Sequence, residues 1–279
     1  MIRLNFSEIS NLAASANKDW RLPIVIGKDE KDQIYVEDLR NLRNILIGGA
    51  TAQGKTEFLR SVLTSLIIQK SCDELKVAMI DLKGCELDEV YDEESEYSYH
   101  GFPRATSLDE ASLILNALKG EIETRLNLLK SAGVRRIEDY NEQLQENETR
   151  IPYIVLAIDE LAELLIPGGD DMTRNLRKLL SKCYVTGIYV IATTTRPYII
   201  PGIIKPDLPT RICFRCLLDT DSKGIIDRPG AEKLTSQGEL LFDNNADGLG
   251  LRKLKAPKIS YAMKGPVALF WWKDQDISK

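Results

Sequence analysis

Short apolar runs recur along the chain, and longer amphipathic or charged segments separate them. Each run is nearly continuous in hydrophobic character and rich in β-branched residues, which is typical of strands buried on both faces of a sheet. The intervening lengths suit helices, so the pattern predicts a mostly parallel sheet flanked by helices, an α/β layered fold. The five runs are residues 43–49, 76–82, 153–159, 188–194 and 211–218.

Helical periodicity is clearest in residues 107–133. Apolar side chains such as Leu115 and Leu118 recur there at helical intervals, a serine opens the segment and a glycine closes it, as in a capped helix. Residues 172–187 predict another helix. The acidic and aromatic stretch 86–103 has no clean period and predicts a surface loop.

Composition narrows the function classes only slightly. The chain has 279 residues, 43% of them hydrophobic and 28% charged, and its formal net charge is −5. Nucleic-acid-binding domains tend to be basic, so any contact with a polyanion must be local. Basic residues cluster at Arg135 and Arg136 and in residues 252–258, and each cluster fits a solvated face as well as a DNA contact. No apolar stretch approaches the ~20 residues that span a bilayer, and no secretory signal opens the chain, so we expect a cytoplasmic protein without a membrane span.

The five cysteines are few and odd in number, which favours a reduced, cytoplasmic setting. Cys213 and Cys216 have the C-x-x-C spacing, but both lie within the run 211–218. If that run is one strand, side chains three positions apart point to opposite faces. Since His100 is the chain's one histidine, the spacing does not predict a zinc site.

A phosphate-binding pattern follows the first apolar run. The pattern G-x-x-x-x-G-K-[ST] is met by residues 49–56. Glycines let backbone N–H groups turn toward phosphates, the lysine reaches the β and γ oxygens, and the threonine hydroxyl helps to hold Mg²⁺. A helix-compatible segment follows, which favours a genuine phosphate loop over a glycine-rich turn. The predicted ATP-binding residues are Gly49, Ala50, Thr51, Ala52, Gln53, Gly54, Lys55, Thr56 and Glu57.

An acidic pair ends the strand predicted at residues 153–159. In nucleotide hydrolases an acidic residue at this strand end holds Mg²⁺, and an adjacent carboxylate can act as general base toward the attacking water. Taken alone, an acidic residue after a strand is more often a helix cap, but the phosphate loop favours the catalytic interpretation. We therefore predict Thr56 and Asp159 as metal ligands, and Lys55 and Glu160 as catalytic residues.

Three threonines end the strand predicted at residues 188–194 and continue just beyond it. A hydroxyl at Thr193, Thr194 or Thr195 would lie near the γ-phosphate and couple its loss to movement. The alternative is an ordinary polar strand end closed by a proline. Thr194, Thr195 and Arg196 complete the predicted catalytic set.

The order of several segments resembles the motor domain of the FtsK/SpoIIIE family of DNA translocases. A segment with "GKD" leads to the phosphate loop, a strand ends in Asp-x-Lys followed by Glu-Leu, and the long predicted helix is followed by a Gly-Val-Arg turn. The segments "LPTRICF" and "DSKGIIDRPGAEKLTSQGELLF" match the family's C-terminal part, so the resemblance covers residues 22–243.

This resemblance implies a RecA-like ATPase that assembles as a hexameric ring around double-stranded DNA. It divides the chain into an N-terminal segment (1–21), a motor domain (22–245) that begins with a small β-hairpin, and a C-terminal β extension (246–279). The extension mixes glycine, proline and lysine with one β-like run, which predicts a hairpin added at the edge of the sheet. Its run "VALFWW" at 267–272 predicts a buried edge strand or a docking site for a partner. Without membrane spans or a winged helix, the chain resembles the short motors of conjugative or other mobile elements, whose partners would be a membrane channel or a relaxase.

Two positions depart from the family's pattern. Its sensor strand usually ends in Ala-Thr-Gln-Arg-Pro, whereas this chain has "ATTTRP", with a threonine for the glutamine and one residue more. Its trans-acting arginine finger aligns with Tyr184, so a finger would come from Arg196, Arg211 or Arg215, or hydrolysis would be slow. Two alternatives stay open, namely a protein-secretion ATPase of the same family and a degenerate ATP-binding assembly factor.

Overall fold

The computed structural model describes residues 1–4, 8, 11–12, 19–67, 69–87, 104–145, 148–244 and 250–259. Most of the strands formed by these residues join one ten-stranded sheet. The strands are β1 (Ile2–Leu4), β2 (Pro23–Lys28), β3 (Ile34–Asp38), β4 (Ile45–Gly48), β5 (Leu75–Asp81), β6 (Arg104–Ala105), β7 (Tyr153–Asp159), β8 (Ile188–Thr194), β9 (Thr210–Phe214), β10 (Glu239–Asn244), β11 (Arg252–Lys255) and β12 (Pro257–Ile259). The described helices are α1 (Leu39–Leu42), α2 (Lys55–Ile67), α3 (Leu108–Ala132), α4 (Ile137–Gln143), α5 (Leu161–Cys183) and α6 (Asp219–Ile226).

Parallel strands form the half of the sheet that carries the candidate chemistry. Their order is β9-β4-β8-β7-β5-β6, and antiparallel strands β10, β11, β2 and β3 extend the sheet beyond β9. Strand β8 lies between β4 and β7, with Gly48 opposite Thr194 and Ile158 opposite Ala192. The phosphate loop, the acidic pair and the threonines therefore all lie at the carboxyl ends of neighbouring parallel strands. The predicted α/β fold is confirmed.

Both faces of the sheet are covered, which explains why the strands read as continuous apolar runs. On one face, Ile45 and Ile47 pack in a cluster with Phe58 of α2. On the other face, Leu46 belongs to a cluster with apolar side chains of α3, α5 and α6. Burying a side chain of this size stabilises the fold by about 1.5–3 kcal/mol. These two cores fix the strand ends relative to one another.

Helix α3 follows its sequence signals closely. Ser107 is the N-cap, and its hydroxyl accepts a hydrogen bond from the Glu110 N–H at 3.3 Å. The Glu110 carboxylate accepts from the Ser107 N–H at 3.1 Å, which completes a capping box. Gly133 ends the helix in the left-handed conformation with φ 70°. The helix predicted at residues 107–133 is confirmed.

Helix α5 is longer than the helix predicted at residues 172–187. It begins directly after Glu160 and continues through a break at Gly169, where φ is 59°. Pro167 lies just before this break, so the Pro-Gly-Gly sequence divides α5 into two helical segments that meet at a kink at Gly169. Among the described residues, no helix has the length and apolar character needed to cross a bilayer.

The C-terminal extension is not at the edge of the sheet. Strands β2 and β3 form the N-terminal hairpin that the resemblance implies. Strand β11 pairs with β10 on one side and reaches β2 on the other, where Lys255 lies opposite Lys28. Strand β12 pairs instead with β1, in a separate parallel pair. The expected edge hairpin is therefore wrong for the described part of the extension, while the "VALFWW" run, most of the 86–103 loop and His100 lie outside the described residues.

The strand predicted at residues 211–218 is also shorter than expected. Strand β9 ends at Phe214, and the chain then turns toward α6. Because of this turn, Cys213 and Cys216 do not point to opposite faces, and their sulfur atoms lie 3.5 Å apart. The prediction from strand alternation was wrong for this pair.

Candidate functional site

The loop between β4 and α2 is folded tightly against the end of β9. Gly49 has φ 143° and Gly54 has φ 110°, a conformation that favours glycine. A Cβ atom on Gly49 would lie 2.7 Å from the Cβ of Phe214. The Ala50 N–H donates a hydrogen bond to the Arg215 carbonyl at 2.8 Å. The start of the loop is therefore held by Phe214, which ends β9, and by Arg215, which follows it.

A second segment, residues 235–238, supports the tip of the same loop. The Gly238 N–H donates to the Gln53 carbonyl at 3.1 Å, and the Gln237 side chain donates to the Ala52 carbonyl at 2.8 Å. Sequence reasoning matched this segment to the family without assigning it a role. Its contacts with the loop make it part of the site.

Glu239 holds that supporting segment in shape. Its carboxylate accepts hydrogen bonds from the N–H groups of Thr235 at 2.8 Å and Ser236 at 3.1 Å. Burial would raise the pKa of Glu239, but these N–H donors and the nearby Lys253 ammonium lower the pKa to about 2. The side chain is therefore ionised at neutral pH, when its hydrogen bonds are strongest.

Lys55 opens α2 and lies over the phosphate loop. Its ammonium donates to the Ala50 carbonyl at 2.8 Å, and the residue is only 6% exposed. Burial lowers the pKa of Lys55, and the neighbouring carboxylates Glu160 and Asp159 oppose that shift. An ammonium has three donors, so those not bonded to the loop can serve phosphate oxygens.

Asp159 brings the end of β7 to the start of α2. Its Oδ1 accepts hydrogen bonds from the hydroxyls of Thr56 at 3.2 Å and Thr193 at 3.0 Å. Burial raises the pKa of Asp159, and the Thr193 hydrogen bond opposes this shift. A buried carboxylate beside a hydroxyl offers hard oxygen ligands, which suit Mg²⁺. Thr56 and Asp159, predicted as metal ligands, are thus adjacent.

Glu160 caps α5 from a left-handed backbone conformation, with φ 56° and ψ 83°. Its N–H donates to the Thr193 hydroxyl at 2.9 Å. Its Oε1 accepts from the Thr194 hydroxyl at 3.0 Å and from the Ala162 N–H at 3.4 Å. Its Oε2 accepts from the Thr195 N–H at 2.9 Å and from the Thr195 hydroxyl at 2.6 Å. The threonine-rich strand end therefore grips the carboxylate and orients it.

The arginines considered as trans-acting fingers differ in their surroundings. The Arg196 N–H donates to the Thr194 hydroxyl at 3.0 Å, and its half-exposed guanidinium lies 3.6 Å from the Glu163 carboxylate. Arg211 is buried, donates to backbone carbonyls including that of Ile225, and forms an ion pair with Asp227. Its guanidinium is committed to the interior of its own chain.

The side chain of Arg215 is exposed at the turn after β9. Tyr184, the position at which the resemblance would place an arginine finger, lies under the guanidinium of Arg43, which is 4.7 Å from the ring centroid. Its ring also packs against one of the two cores. Tyr184 therefore has a packing role within the chain, and sequence alone gave no sign of it.

These groups surround one cleft of about 370 Å³. It unites the phosphate loop, both acids and the threonines with the Asp-x-Lys segment after β5. Asp81 anchors that segment, because its carboxylate accepts the N–H groups of Gly84 at 3.1 Å and Glu86 at 2.8 Å. The cleft is lined by Thr51, Ala52, Gly54, Lys55, Thr56, Glu57, Arg60, Lys83, Glu86, Asp159, Glu160, Thr193, Thr195 and Gln237.

Some predicted residues support the cleft without lining it, and some lining residues were not predicted. Predicted residues in supporting positions are Gly49, Ala50, Gln53, Thr194 and Arg196. Lining residues outside the predicted set are Arg60, Lys83, Glu86, Thr193 and Gln237, of which Thr193 had been considered beside Thr194 and Thr195. The Asp-x-Lys motif could have identified Lys83, since it follows a strand parallel to β7.

Comparisons with known proteins agree with this geometry. The sequence model of the FtsK/SpoIIIE family matches residues 8–198. The DNA translocase FtsK of Oceanobacillus iheyensis is 33% identical over 241 residues, which cover 81% of this chain and 30% of that protein. The DNA translocase SpoIIIE of Bacillus subtilis is 30% identical over 253 residues, which cover 86% of this chain and 31% of that protein. The chain thus spans about a third of the length of these relatives.

Solved structures share the fold. The conjugation coupling protein TcpA of pCW3, in a monomer form with ATPγS, matches with a TM-score of 0.77 and 26% identity over 92% of this chain and 72% of that chain. The cytoplasmic domain of the type VII secretion ATPase EccC of Thermomonospora curvata matches with a TM-score of 0.76 and 19% identity, covering 95% of this chain and 33% of that one. The EccC likeness shows the fold alone. With a family match over most of its length and this phosphate-loop cleft, the chain belongs to the FtsK/SpoIIIE family.

Proposed function

We propose that this protein hydrolyses ATP and uses the energy to move double-stranded DNA. One observation carries the proposal: Thr56 and Asp159 meet at 3.2 Å in a phosphate-loop cleft, with Glu160 directly beside them. An NTP-driven motor needs these groups at one place. Relatives at 30–33% identity that are DNA translocases support DNA as the substrate.

Nucleotide and Mg²⁺ are proposed to bind between α2 and the end of β7. Bound Mg²⁺ would neutralise charge on the β- and γ-phosphates. Thr56 and Asp159 would hold it, and their oxygens already converge. The loop N–H groups and the Lys55 ammonium would hold the phosphates, and the positive end of the α2 dipole favours the same charge.

Glu160 is proposed as the base that takes a proton from the attacking water. A carboxylate has about four lone-pair sites, and donors from Ala162, Thr194 and Thr195 engage both of its oxygens. One of those bonds must open before the carboxylate can accept a proton from water. Thr194 and Thr195 would thus couple the position of the sensor strand to hydrolysis.

A homo-hexameric ring with its sites at subunit boundaries would supply an arginine in trans. Of the three candidate arginines, Arg211 is held inside its own chain, whereas Arg215 is exposed and Arg196 is half exposed. We propose that Arg196 or Arg215 acts on the neighbouring nucleotide. Arg196 is favoured because its backbone is bonded to Thr194 of the sensor strand, which would link the two sites.

The two basic clusters differ as candidates for contacting DNA. In the 252–258 cluster, Arg252 lies 3.8 Å from Glu37, and Lys253 lies 3.3 Å from Glu30, so much of that charge is balanced. Arg135 and Arg136 are exposed in the turn between α3 and α4. We propose that this turn contacts DNA phosphates without reading the base sequence.

The biological setting is proposed from the same relatives. The likeness to a conjugation coupling protein supports a role in conjugative transfer, and the likeness to FtsK and SpoIIIE equally supports DNA segregation. In either role the motor unit would be residues 22–245, with the extension 246–279 contributing β11 to its sheet. A cytoplasmic location and a membrane-channel or relaxase partner belong to the proposal.

The test measures ATP turnover by the purified protein with and without long duplex DNA. We expect DNA to raise turnover, and Glu160→Gln to lower it by about 10²- to 10⁴-fold, the usual loss for a general base. Glu123→Gln, which makes the same change on the exposed face of α3, is the matched control and should behave like the wild type. Turnover that ignores DNA would instead favour a secretion ATPase, and no turnover would favour an assembly factor.

A further inference from the structure

Two thiols lie together beside the phosphate loop, outside the proposed catalytic groups. Cys213 is the next-to-last residue of β9 and has no exposed surface, and Cys216 in the following turn is 2% exposed. Their sulfur atoms are 3.5 Å apart, and each lies 3.5 Å from the Phe214 carbonyl oxygen. Both are free thiols, because no disulfide joins them in the described structure.

The residues between these cysteines are the ones that hold the phosphate loop. Phe214 packs on Gly49, where a Cβ atom would lie 2.7 Å from the Phe214 Cβ. The Arg215 carbonyl accepts the Ala50 N–H at 2.8 Å. Backbone movement that draws Cys213 and Cys216 together would therefore shift these contacts as well.

The pair is also arranged for thiol chemistry. Hydrogen bonding from the Cys213 thiol lowers the pKa of Cys216; burial and the Asp221 carboxylate oppose that shift, and the Lys55 ammonium favours it. The thiolate is the reactive form of cysteine. Cys216 is buried, but its neighbours Arg215 and Leu217 are exposed. We expect a small oxidant to reach its thiol through local opening of this surface turn.

We propose that Cys213 and Cys216 form a reversible disulfide, and that this disulfide weakens nucleotide binding by displacing the anchor of the phosphate loop. The inference rests on the proposed function only in that it makes the ATP site redox-regulated. In a reducing cell, disulfides of this kind are transient and serve redox sensing. The C-x-x-C spacing then has a function that requires no bound metal.

The oxidant is a hydroperoxide, with hydrogen peroxide as the probe. The Cys216 thiolate attacks one peroxide oxygen, the O–O bond breaks, and Cys216 becomes a sulfenic acid while one water leaves. The Cys213 sulfur then attacks the Cys216 sulfur, the S–O bond breaks, and a second water leaves with the Cys213 proton. In sum, two thiols and one hydrogen peroxide give one disulfide and two waters. A dithiol reductant reverses the change by thiol–disulfide exchange.

The expected effect follows from geometry. A disulfide needs a sulfur separation of about 2.05 Å, so the two sulfurs must approach from 3.5 Å. We expect part of this approach to come from the backbone of the turn at Phe214 and Arg215, which would break the hydrogen bond from Ala50. Losing one such bond corresponds to about three- to tenfold weaker binding. The ring between the cysteines is short, so closing it adds little stability and the bond stays easy to reduce.

The experiment treats the whole protein with hydrogen peroxide, blocks remaining thiols with an alkylating agent and digests with trypsin. Cleavage after Arg211, Arg215 and Lys223 separates the two cysteines, so a disulfide links peptides 212–215 and 216–223. Binding of a fluorescent ATP analogue is measured on the same samples before and after dithiothreitol. We expect the linked peptides, three- to tenfold weaker binding, and recovery of both on reduction.

Matched variants separate this disulfide from general oxidation. In Cys216→Ser and in Cys213→Ser we expect no linked peptides and no reversible loss of binding of the ATP analogue. Cys72→Ser, which changes an exposed cysteine, should respond like the wild type. Failure to find the linked peptides would overturn the inference, as would linked peptides with unchanged binding. The readout is binding, so a protein that never hydrolyses ATP would refute the proposed function while leaving this inference open to the same test.

Discussion

The grip on Glu160 makes a prediction about the hydroxyl of Thr195. If Glu160 must free an acceptor site before it can take a proton from water, removing one donor should speed basal hydrolysis. Thr195→Val is the suitable change, because valine keeps the branched shape and the backbone N–H but lacks the hydroxyl that bonds to Oε2 at 2.6 Å. We expect faster ATP turnover without DNA and a smaller stimulation by DNA.

The size of the effect can be set from this hydrogen bond. A hydrogen bond to a charged group contributes about 1.5–3 kcal/mol, and each 1.36 kcal/mol corresponds to about tenfold in rate. Thr195 is partly exposed, so water replaces some of the lost bond and the lower end applies. We therefore expect about a tenfold rise in basal turnover, with nucleotide affinity changed less than twofold.

The assay is steady-state ATP turnover at saturating ATP, with and without duplex DNA. Thr195→Ser is the matched control, because it keeps the hydroxyl and should turn over like the wild type. The double variant Thr195→Val with Glu160→Gln should be inactive, which would show that the faster reaction still uses Glu160. Turnover by Thr195→Val at or below that of Thr195→Ser, with unchanged nucleotide affinity, would refute this reasoning.

Three further predictions concern stability and DNA binding. The raised pKa of Asp159 means that its ionised form destabilises the folded protein at neutral pH. Asp159→Asn should therefore raise the Tm of the nucleotide-free protein by about 2–4 °C for each kcal/mol gained, and it should abolish Mg²⁺-dependent nucleotide binding. An unchanged or lower Tm in thermal unfolding would contradict this. Glu239 has a pKa of about 2, below its usual 4.5, so the stability that its ionised form adds is present above pH 4.5 and is lost as the pH falls toward 2. In Glu239→Gln the Tm should decline less steeply over that range, and a decline as steep as in the wild type would contradict this prediction. Replacing both Arg135 and Arg136 with alanine should reduce the salt dependence of DNA binding by about two phosphate contacts, and an unchanged slope in a salt titration would exclude this turn from the interface.

Much of the fold could be predicted because local and tertiary signals agree. The buried parallel strands β7 and β8 have the predicted bounds, since hydrophobic residues on both faces mark their full length. Helix α3 begins and ends at residues whose side chain and backbone cap it. The phosphate loop and the acid pair were brought together as predicted, because parallel strands deliver their carboxyl ends to one edge.

The misses have physical causes that sequence patterns do not record. The run 211–218 contains no glycine or proline that would signal a turn, but β9 ends at Phe214, where that residue packs closely on Gly49, and the chain then turns. The C-terminal tail was expected to add an edge hairpin, yet β11 lies inside the sheet, where Lys253 pairs with Glu239 of the neighbouring strand β10. Tyr184 could not be explained from its alignment, because its stacking on Arg43 depends on two elements distant in sequence.

The interior position of β11 determines where this chain can be cut. A protein shortened before residue 252 would lose a strand from the middle of the sheet, and β10 and β2 would each be left with an unpaired edge. Exposed strand edges recruit other chains and promote aggregation. We therefore expect a protein truncated there to be insoluble, so that its loss of activity would say nothing about catalysis.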